Sequence, residues 1–460
     1  MTTDIERDIA CHAAGTRAQN LGTAARAAAV RGIVDTVGCM LAATRAPGID
    51  VLVELAQGWG GRDEASVIGH GFGCPAPLAS WINGAMARAL EIDDCTDFLP
   101  LHPSAALVPP LLALAEARPA LRGEDLVTAL AVGQDLILRL ASATRVDGIT
   151  SGRYNLFKVF GVAAALARLA GLDAQRTQHA LGIAYGFACG EGQSAMDGSL
   201  AFRLQDGNAS QAGLTAMLMA ERGFTGPREF LTGRMGFFTS FEPQPLLERL
   251  TEDLGRRFRG AEISVKPYSA CRCTHTAIGL ALGQRALMPA LADALERAVV
   301  RVAPSVHKLV GAPVGADDAT LPQAAAQFSL SYTVAAALRC GEVFLPQFTP
   351  QALARADVLA LARRIEAFPD EAMQDPRFVT GRTRLELHLR DGTMLTLEGV
   401  EPPGNPANPA SPETIRRKFL QCAVSDDSAP HVLPRVESLL AALLDIECAP
   451  DAGALARRLR

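Results

Sequence analysis

The amino-acid sequence predicts a mainly α protein: a large all-helical domain assembled from N- and C-terminal segments, plus a smaller α+β domain. Three observations predict it. Alanine and leucine dominate a chain of 460 residues that is 49% hydrophobic and only 5% aromatic, a composition that favours helices in close contact. Up to about residue 255, and again beyond Pro412, apolar residues recur at helical spacing. Between these stretches the pattern changes to strand-like alternation and a hairpin signal. The expected division is 1–262 for the first part of the helical domain, 263–397 for the α+β domain, and 398–460 for a linker and the return to the helical domain.

In chain order, 23–43 predicts one apolar helix with Asp35 inside it. The glycine-rich stretch 60–73 predicts a loop around one strand at 65–68. Its Gly69-His-Gly-Phe-Gly73 is not a dinucleotide fingerprint, because no long strand–turn–helix frames it. Residues 75–90 are helical, 91–104 a polar loop with Pro100 and Pro103, and 109–117 and 123–146 helices again. A polar loop or first turn at 153–158 leads into a helix at 159–170, which Gly171 stops. Asp173 caps a helix reaching Tyr185. The segment 186–199 is rich in glycine and serine, and 203–222 is a helix. Strand-like 261–265 opens the second domain, and 299–306 alternates as a strand. Two helices are expected at about 321–340 and 350–364. Segments 382–389 and 393–397 flank Arg390-Asp-Gly392 and predict a hairpin. The five prolines of 402–412 predict a linker.

Composition also excludes classes. A net charge of −5 gives no electrostatic footprint for nucleic acid. Every apolar run is interrupted before membrane-spanning length. The first residues carry acids where a signal peptide would carry bases, so a soluble, cytoplasmic protein is expected. The ten cysteines are scattered and do not form a disulfide framework.

Two segments concentrate chemistry. Lys266-Pro-Tyr-Ser-Ala-Cys-Arg-Cys-Thr-His275 holds two cations, a tyrosine, two thiols and a histidine. Far upstream, Glu91-Ile-Asp-Asp94 runs to His102-Pro-Ser104. Reactive side chains clustered in connecting segments of an apolar chain point to a site. Cys271, Cys273 and His275 have the look of metal ligands, but no second cluster completes four-coordination. Neither a metal nor a cofactor is expected.

These residues resemble, in order, the motifs of the MmgE/PrpD family. Asn83-Gly84 with Glu91-Ile-Asp-Asp94 and His102-Pro-Ser104 is similar to the first. Asp197-Gly-Ser199 with Arg203-Leu-Gln-Asp-Gly207 is similar to the second, and Arg222-Gly-Phe-Thr-Gly-Pro227 to the third. The fourth is the segment from Lys266 to His275. The fifth is Phe328-Ser-Leu-Ser-Tyr332, followed by Ala335 to Leu338 and Gly341. The resemblance implies a helical domain built from both chain ends, an α/β lid, a homodimer, and metal-free chemistry in a cleft between domain and lid. It implies a lyase for a small carboxylic acid, dehydratase- or decarboxylase-like. An epimerase or isomerase, and a non-catalytic ligand-binding homologue, are the alternatives.

Such reactions develop negative charge beside a carboxylate, which needs cations and a tuned acid or base. By resemblance Lys266 is the active-site lysine and His102 a catalytic acid or base. Asp94 orients a histidine, binds a substrate hydroxyl, or simply holds a turn. Thr96 or Cys95 fills the adjacent polar position. Arg203, Arg272 and His275 would grip carboxylates, and Tyr332 matches a substrate-binding tyrosine. The chain departs from the pattern where relatives carry a second histidine, here Gly152. Arg153, Tyr154 and Lys158 are the nearest substitutes, Tyr154 as a catalytic group and Lys158 as a binding one. Phe202 stands for a lysine, Gln205 for a histidine and Arg88 for another histidine. Losing cations at 202 and 205 predicts fewer substrate carboxylates or a less polar substrate. Lys266, His102, Arg203 and either Tyr154 or Lys158 are expected to line one cleft.

Overall fold

The structure is a computed structural model that describes residues 4–99, 101–144, 155–242, 244–284, 286, 290–315, 318–424 and 429–460. Two compact units emerge. The first comprises Met1–Asp94, Leu101–Ile263 and Ile415–Arg460; the second comprises Cys95–Pro100 and Ser264–Thr414. The fold is mainly α.

The first unit is built around α1 (Thr23–Ala42), α2 (Ala76–Arg88), α3 (Pro103–Ala117), α4 (Gly123–Ala143), α5 (Lys158–Leu169), α6 (Ala201–Glu221) and α9 (Pro412–Ala423). α4 is long and apolar enough to cross a membrane, yet 94% of its most apolar stretch is buried against the rest of the protein. α3 begins six residues earlier than the 109 expected from sequence. Pro103 takes the first helical position, where a missing N–H costs nothing, and Pro109 and Pro110 lie inside the helix.

α2 and α6 cross at two glycines. A Cβ on Gly84 would stand 2.8 Å from the Gly207 Cα, and one on Gly207 would stand 2.3 Å from the Trp81 carbonyl oxygen. The small side chains let the backbones touch, which brings Arg88, one turn after Gly84, towards Asp206. Asn83 acts on the other side of α2. Its Nδ2 donates to the Ser66 carbonyl at 2.9 Å and its Oδ1 accepts from the Ile68 N–H at 3.1 Å. It thereby holds β1 (Ala65–Val67), which pairs antiparallel with β2 (Phe72–Cys74).

The second unit carries a four-stranded sheet in the order β4 (Ile365–Pro369), β3 (Leu295–Val302), β5 (Thr383–Leu389), β6 (Met394–Gly399). β3 pairs parallel with β4 and antiparallel with β5. The expected hairpin is β5–β6, closed at Gly392, whose φ of +88° suits a residue without a Cβ. Alternating apolar residues of β3 and β5 pack with α7 (His275–Leu282) and α8 (Leu330–Cys340) into one core.

Several boundaries differ from those read in the sequence. β3 ends at Val302, not 306, because Pro304 opens a helix, Pro304–Val310. The expected helix 321–340 is two, Gln323–Gln327 and α8, with Ser329 capping the second through the Tyr332 N–H at 3.1 Å. The helix expected at 350–364 is Pro350–Leu353 and Ala356–Ala362. β4 was not anticipated. Residues 261–265 are not a strand: a 3₁₀ turn, Arg259–Glu262, precedes a single bridge between Ser264 and Cys95. The proline-rich stretch is no free linker, since the Gly404 carbonyl accepts from the Val265 N–H at 3.1 Å.

Candidate active site

α2 ends at Arg88, and Glu91, with φ +57°, turns the chain into Ile92-Asp93-Asp94. After the segment that joins the second unit, the chain returns and His102 occupies the N-cap position of α3. Glu91, Asp93, Asp94 and His102 are all buried. The His102 Nδ1 lies 2.9 Å from the Asp94 carbonyl oxygen and 3.0 Å from Asp93 Oδ2. Both neighbours are acceptors, so Nδ1 carries the hydrogen and Nε2 is the basic atom of the neutral ring. The carboxylate behind Nδ1 holds the ring in that tautomer.

Asp94 is in an unusual position. Its Oδ1 accepts from the Ser104 N–H at 3.1 Å, at the start of α3. Its Oδ2 is buried and has no hydrogen-bond partner among the described residues. Burial pushes the carboxyl up, Asp35 and Asp93 add to this, and the Ser104 bond only partly opposes it; the result is about 7. Desolvation therefore outweighs the helix end. Near neutral pH this carboxyl is divided between acid and carboxylate.

The adjoining charges form a continuous row. Arg88 Nη1 lies 2.5 Å from Glu91 Oε1 and 3.2 Å from Asp93 Oδ1. Its Nε is 4.0 Å from Asp206 Oδ2, and Asp206 Oδ1 is 2.5 Å from Lys158 Nζ. Burial pulls the Lys158 amine below its usual value, and Asp206 partly restores it. The structure thus links His102 and Lys158 through Asp93, Arg88 and Asp206. The Phe202 ring lies 4.9 Å from the Arg88 guanidinium carbon, a favourable stacking. Gln205 holds the loop before α6 by donating to the Glu191 carbonyl at 2.8 Å and accepting from Asn155 Nδ2 at 3.0 Å.

Two arginines stand differently. Arg203 has a buried Nη1 with no hydrogen-bond partner among the described residues. Burial opposes its charge, Glu91 supports it and Arg88 opposes it further. An arginine stays cationic regardless, so such a desolvated N–H suits a carboxylate. Arg31, on α1, is half-buried, and Asp94 is the charge that counters its desolvation. One turn further along α1, Asp35 Oδ1 lies 2.5 Å from the buried Lys418 Nζ of α9.

In the second unit, Lys266 is fully buried and follows Val265, which is tied to Gly404. Arg272 grips Asp97 with two bonds, Nε to Oδ1 at 2.6 Å and Nη2 to Oδ2 at 2.9 Å, and donates to the Pro403 carbonyl at 2.6 Å. Burial pushes the Asp97 carboxyl up, but Arg272, Ser264 and Asn405 together hold it below its ordinary value. His275 Nε2 is 3.1 Å from the Ala270 carbonyl, and its Nδ1 is 3.3 Å from Arg272 Nη1. The Thr96 hydroxyl donates to the Leu99 carbonyl. The Tyr332 hydroxyl donates to the Gln347 carbonyl at 2.7 Å. The polar atoms of Arg272, Thr96 and Tyr332 are thus engaged in internal bonds of the second unit. Tyr154 lies outside the described residues.

Sequence reasoning did not assign roles to Arg31, Asp35, Asp206 or Lys418. Arg31 and Asp35 are lone charges in an apolar helical pattern, Asp206 sits inside a matched motif, and Lys418 ends the run Arg416-Arg417-Lys418; each gains meaning only when several converge.

Residues 7–249 match the MmgE/PrpD N-terminal domain and residues 268–432 the MmgE/PrpD C-terminal domain. The chain is 27% identical over 420 residues to a cis-aconitate decarboxylase of Aspergillus terreus, covering 86% of this chain and 85% of that protein. It is 27% identical over 454 residues to cis-aconitate decarboxylase of Mus musculus, covering 94% and 88%. The Homo sapiens protein of the same name is 26% identical over 450 residues, covering 94% and 89%. With both family domains matched in order across most of its length, the chain belongs to the MmgE/PrpD family.

Proposed function

We propose that this protein is a lyase acting on a small carboxylic acid, in the manner of a decarboxylase or dehydratase. The observation that carries the reading is Asp94: a buried carboxyl with an unengaged oxygen that titrates at about 7, in the same turn that orients His102. An acid or base matched to working pH is what proton transfer next to a carboxylate requires. In decarboxylation the bond from carbon to the departing carboxylate breaks. The electron pair stays on the carbon, and Asp94 or protonated His102 returns a proton there. In dehydration the same groups remove an α-proton while hydroxide leaves. Arg203 is proposed to bind a substrate carboxylate and Lys266 to stabilise the developing charge. Relatives named as cis-aconitate decarboxylases support the carboxy-lyase form. Replacement of cations by Phe202 and Gln205 favours a substrate with fewer carboxylates than their namesake.

The test is turnover of a panel of mono-, di- and tricarboxylic acids, cis-aconitate among them, in deuterated water. Deuterium in product and released CO2 are followed together. Lys266→Ala should lower the rate by about 10²–10³, the usual effect of losing a group that stabilises transition-state charge. Undiminished turnover in that variant, or binding of acids with no released CO2, no alkene product and no carbon-bound deuterium, would overturn the proposal.

A further inference from the structure

Lys418 and Asp35 form a buried pair that the proposed chemistry does not use. They come from opposite ends of the chain, 383 residues apart. Both side chains are buried, and Lys418 Nζ meets Asp35 Oδ1 at 2.5 Å. The same Nζ donates to the main-chain carbonyl of Ile92, at 2.5 Å. Ile92 is the residue between Glu91 and Asp93, so one ammonium pins the backbone of the acidic turn. Asp35 lies one helical turn from Arg31 on α1, and both act electrostatically on Asp94.

We propose that Lys418 and Asp35 are a positioning pair for the acidic turn: Lys418 fixes its backbone through Ile92, and Asp35 holds that ammonium in place and sets a second carboxylate behind the turn. This rests on the reading of Asp94 as a proton-transfer group. A buried ion pair contributes little net stability over a well-packed apolar pair of the same volume, so its value here lies in what it orients. The groups acting on Asp94 are Arg31 and Asp35 from α1, Asp93 in the turn, and His102 and Ser104 at the start of α3. Lys418 from α9 acts through Asp35 and Ile92. Of these, Asp35 and Asp93 favour the protonated carboxyl, and the Ser104 bond opposes it. Lys418 decides how strongly Asp35 does so, because it neutralises that carboxylate. Burial pulls the Lys418 ammonium down, but Asp35, together with Cys39 and Cys422, more than compensates and keeps it charged.

The experiment reads Asp94 directly. Protein labelled with ¹³C at the aspartate carboxyls is titrated by NMR, and the Asp94 signal is identified by its absence in Asp94→Asn. Asp35→Asn keeps the shape and the acceptor for Lys418 but removes the charge. It should move the Asp94 titration down by on the order of one pH unit. Lys418→Met removes the ammonium that neutralises Asp35, and the two carboxyls should then release their last proton at higher pH than the parent. Lys418→Arg restores the charge and should return the titration towards the parent. Each folded variant decides by itself: shifts in these directions uphold the proposal, and an unmoved Asp94 signal in any folded charge-removing variant overturns it. A merely structural pair would lower the melting temperature without moving that signal. If the signal shifts as stated while the pH–rate profile stays fixed, the pair is as proposed and Asp94 is not the proton-transfer group.

Discussion

Asp94→Asn should make the protein more stable at pH 8 and no more stable at pH 4. The parent carboxyl titrates at about 7 in the fold, against 3.8 for an ordinary aspartate. The folded value is raised, so the protonated form is the one the fold favours. That contribution is fully present below about 4 and is lost as pH rises through about 7. A difference of about 3 units corresponds to about 4 kcal/mol at 1.36 kcal/mol per unit. Asp94 is 2% exposed, so solvent screening removes little of this. Asparagine keeps the acceptor for the Ser104 N–H but places an amide N–H₂ where Oδ2 lacks a partner. That costs about 1 kcal/mol. The net gain at pH 8 is then about 3 kcal/mol, or about 3 °C in Tm for a chain of this size. The assay is thermal unfolding of parent and variant in parallel from pH 4 to pH 8.5, with turnover measured on the same samples. The reasoning requires a gap that opens between pH 4 and pH 7 and then stays level, together with lost turnover. A gap of one size at every pH would show that Asp94 is an ordinary ionised carboxylate and would remove the observation on which the proposed function stands.

Three further outcomes follow from the geometry. Lys158→Met strips the fully buried Asp206 of its 2.5 Å partner and, among the described residues, leaves it Arg88 Nε at 4.0 Å as its cation; equilibrium unfolding should show a loss of about 3 kcal/mol, smaller when Asp206→Leu is added. Tyr332→Phe removes one hydroxyl bonded to the Gln347 carbonyl and should cost about 1 kcal/mol with turnover unchanged; a large fall in turnover at parental stability would instead place that hydroxyl on the substrate. Gly207→Ala puts a methyl group 2.3 Å from the Trp81 carbonyl oxygen and should destabilise by about 1–3 kcal/mol, while lowering turnover through displacement of Arg88 from Asp206.

Much of the fold was legible because it is locally encoded. The β5–β6 hairpin follows from Asp391-Gly392 between alternating strands, and Gly171 and Asp173 mark a helix stop and start, as the +71° φ of Gly171 and the 2.8 Å bond from the Arg176 N–H to Asp173 show. Features set by distant partners were not legible. β4 is five residues long, ends in proline and exists by pairing parallel with β3, more than sixty residues earlier. The early start of α3 was hidden because Pro103, Pro109 and Pro110 read as breakers, although Pro103 is a helix opener. At the site, His102 and Asp94 were found because they lie in one dense motif. Asp35, alone in an apolar helix, and Lys418, the last of a run of three cations, gain meaning only from their convergence beside the acidic turn. The motif from Lys266 to His275 was identified as part of a site, but its polar composition did not show that most of it is buried. Polar residues in sequence do not reveal that Asp97 and neighbouring carbonyls await them.

Protein engineers exchange domains between relatives as cassettes, and the path of this chain dictates how such a swap must be cut. Taking 264–414 alone from a donor would leave behind Cys95–Pro100, which belongs to the same compact unit. Asp97 of that short segment binds Arg272, Ser264 and Asn405, so a recipient aspartate would face donor groups that were never matched to it. A chimera that preserves the unit therefore needs two inserts and four junctions. The two junctions flanking the short insert fall immediately after Asp94 and immediately before Leu101 and His102, so the grafting seam runs through the residues on which activity is proposed to depend.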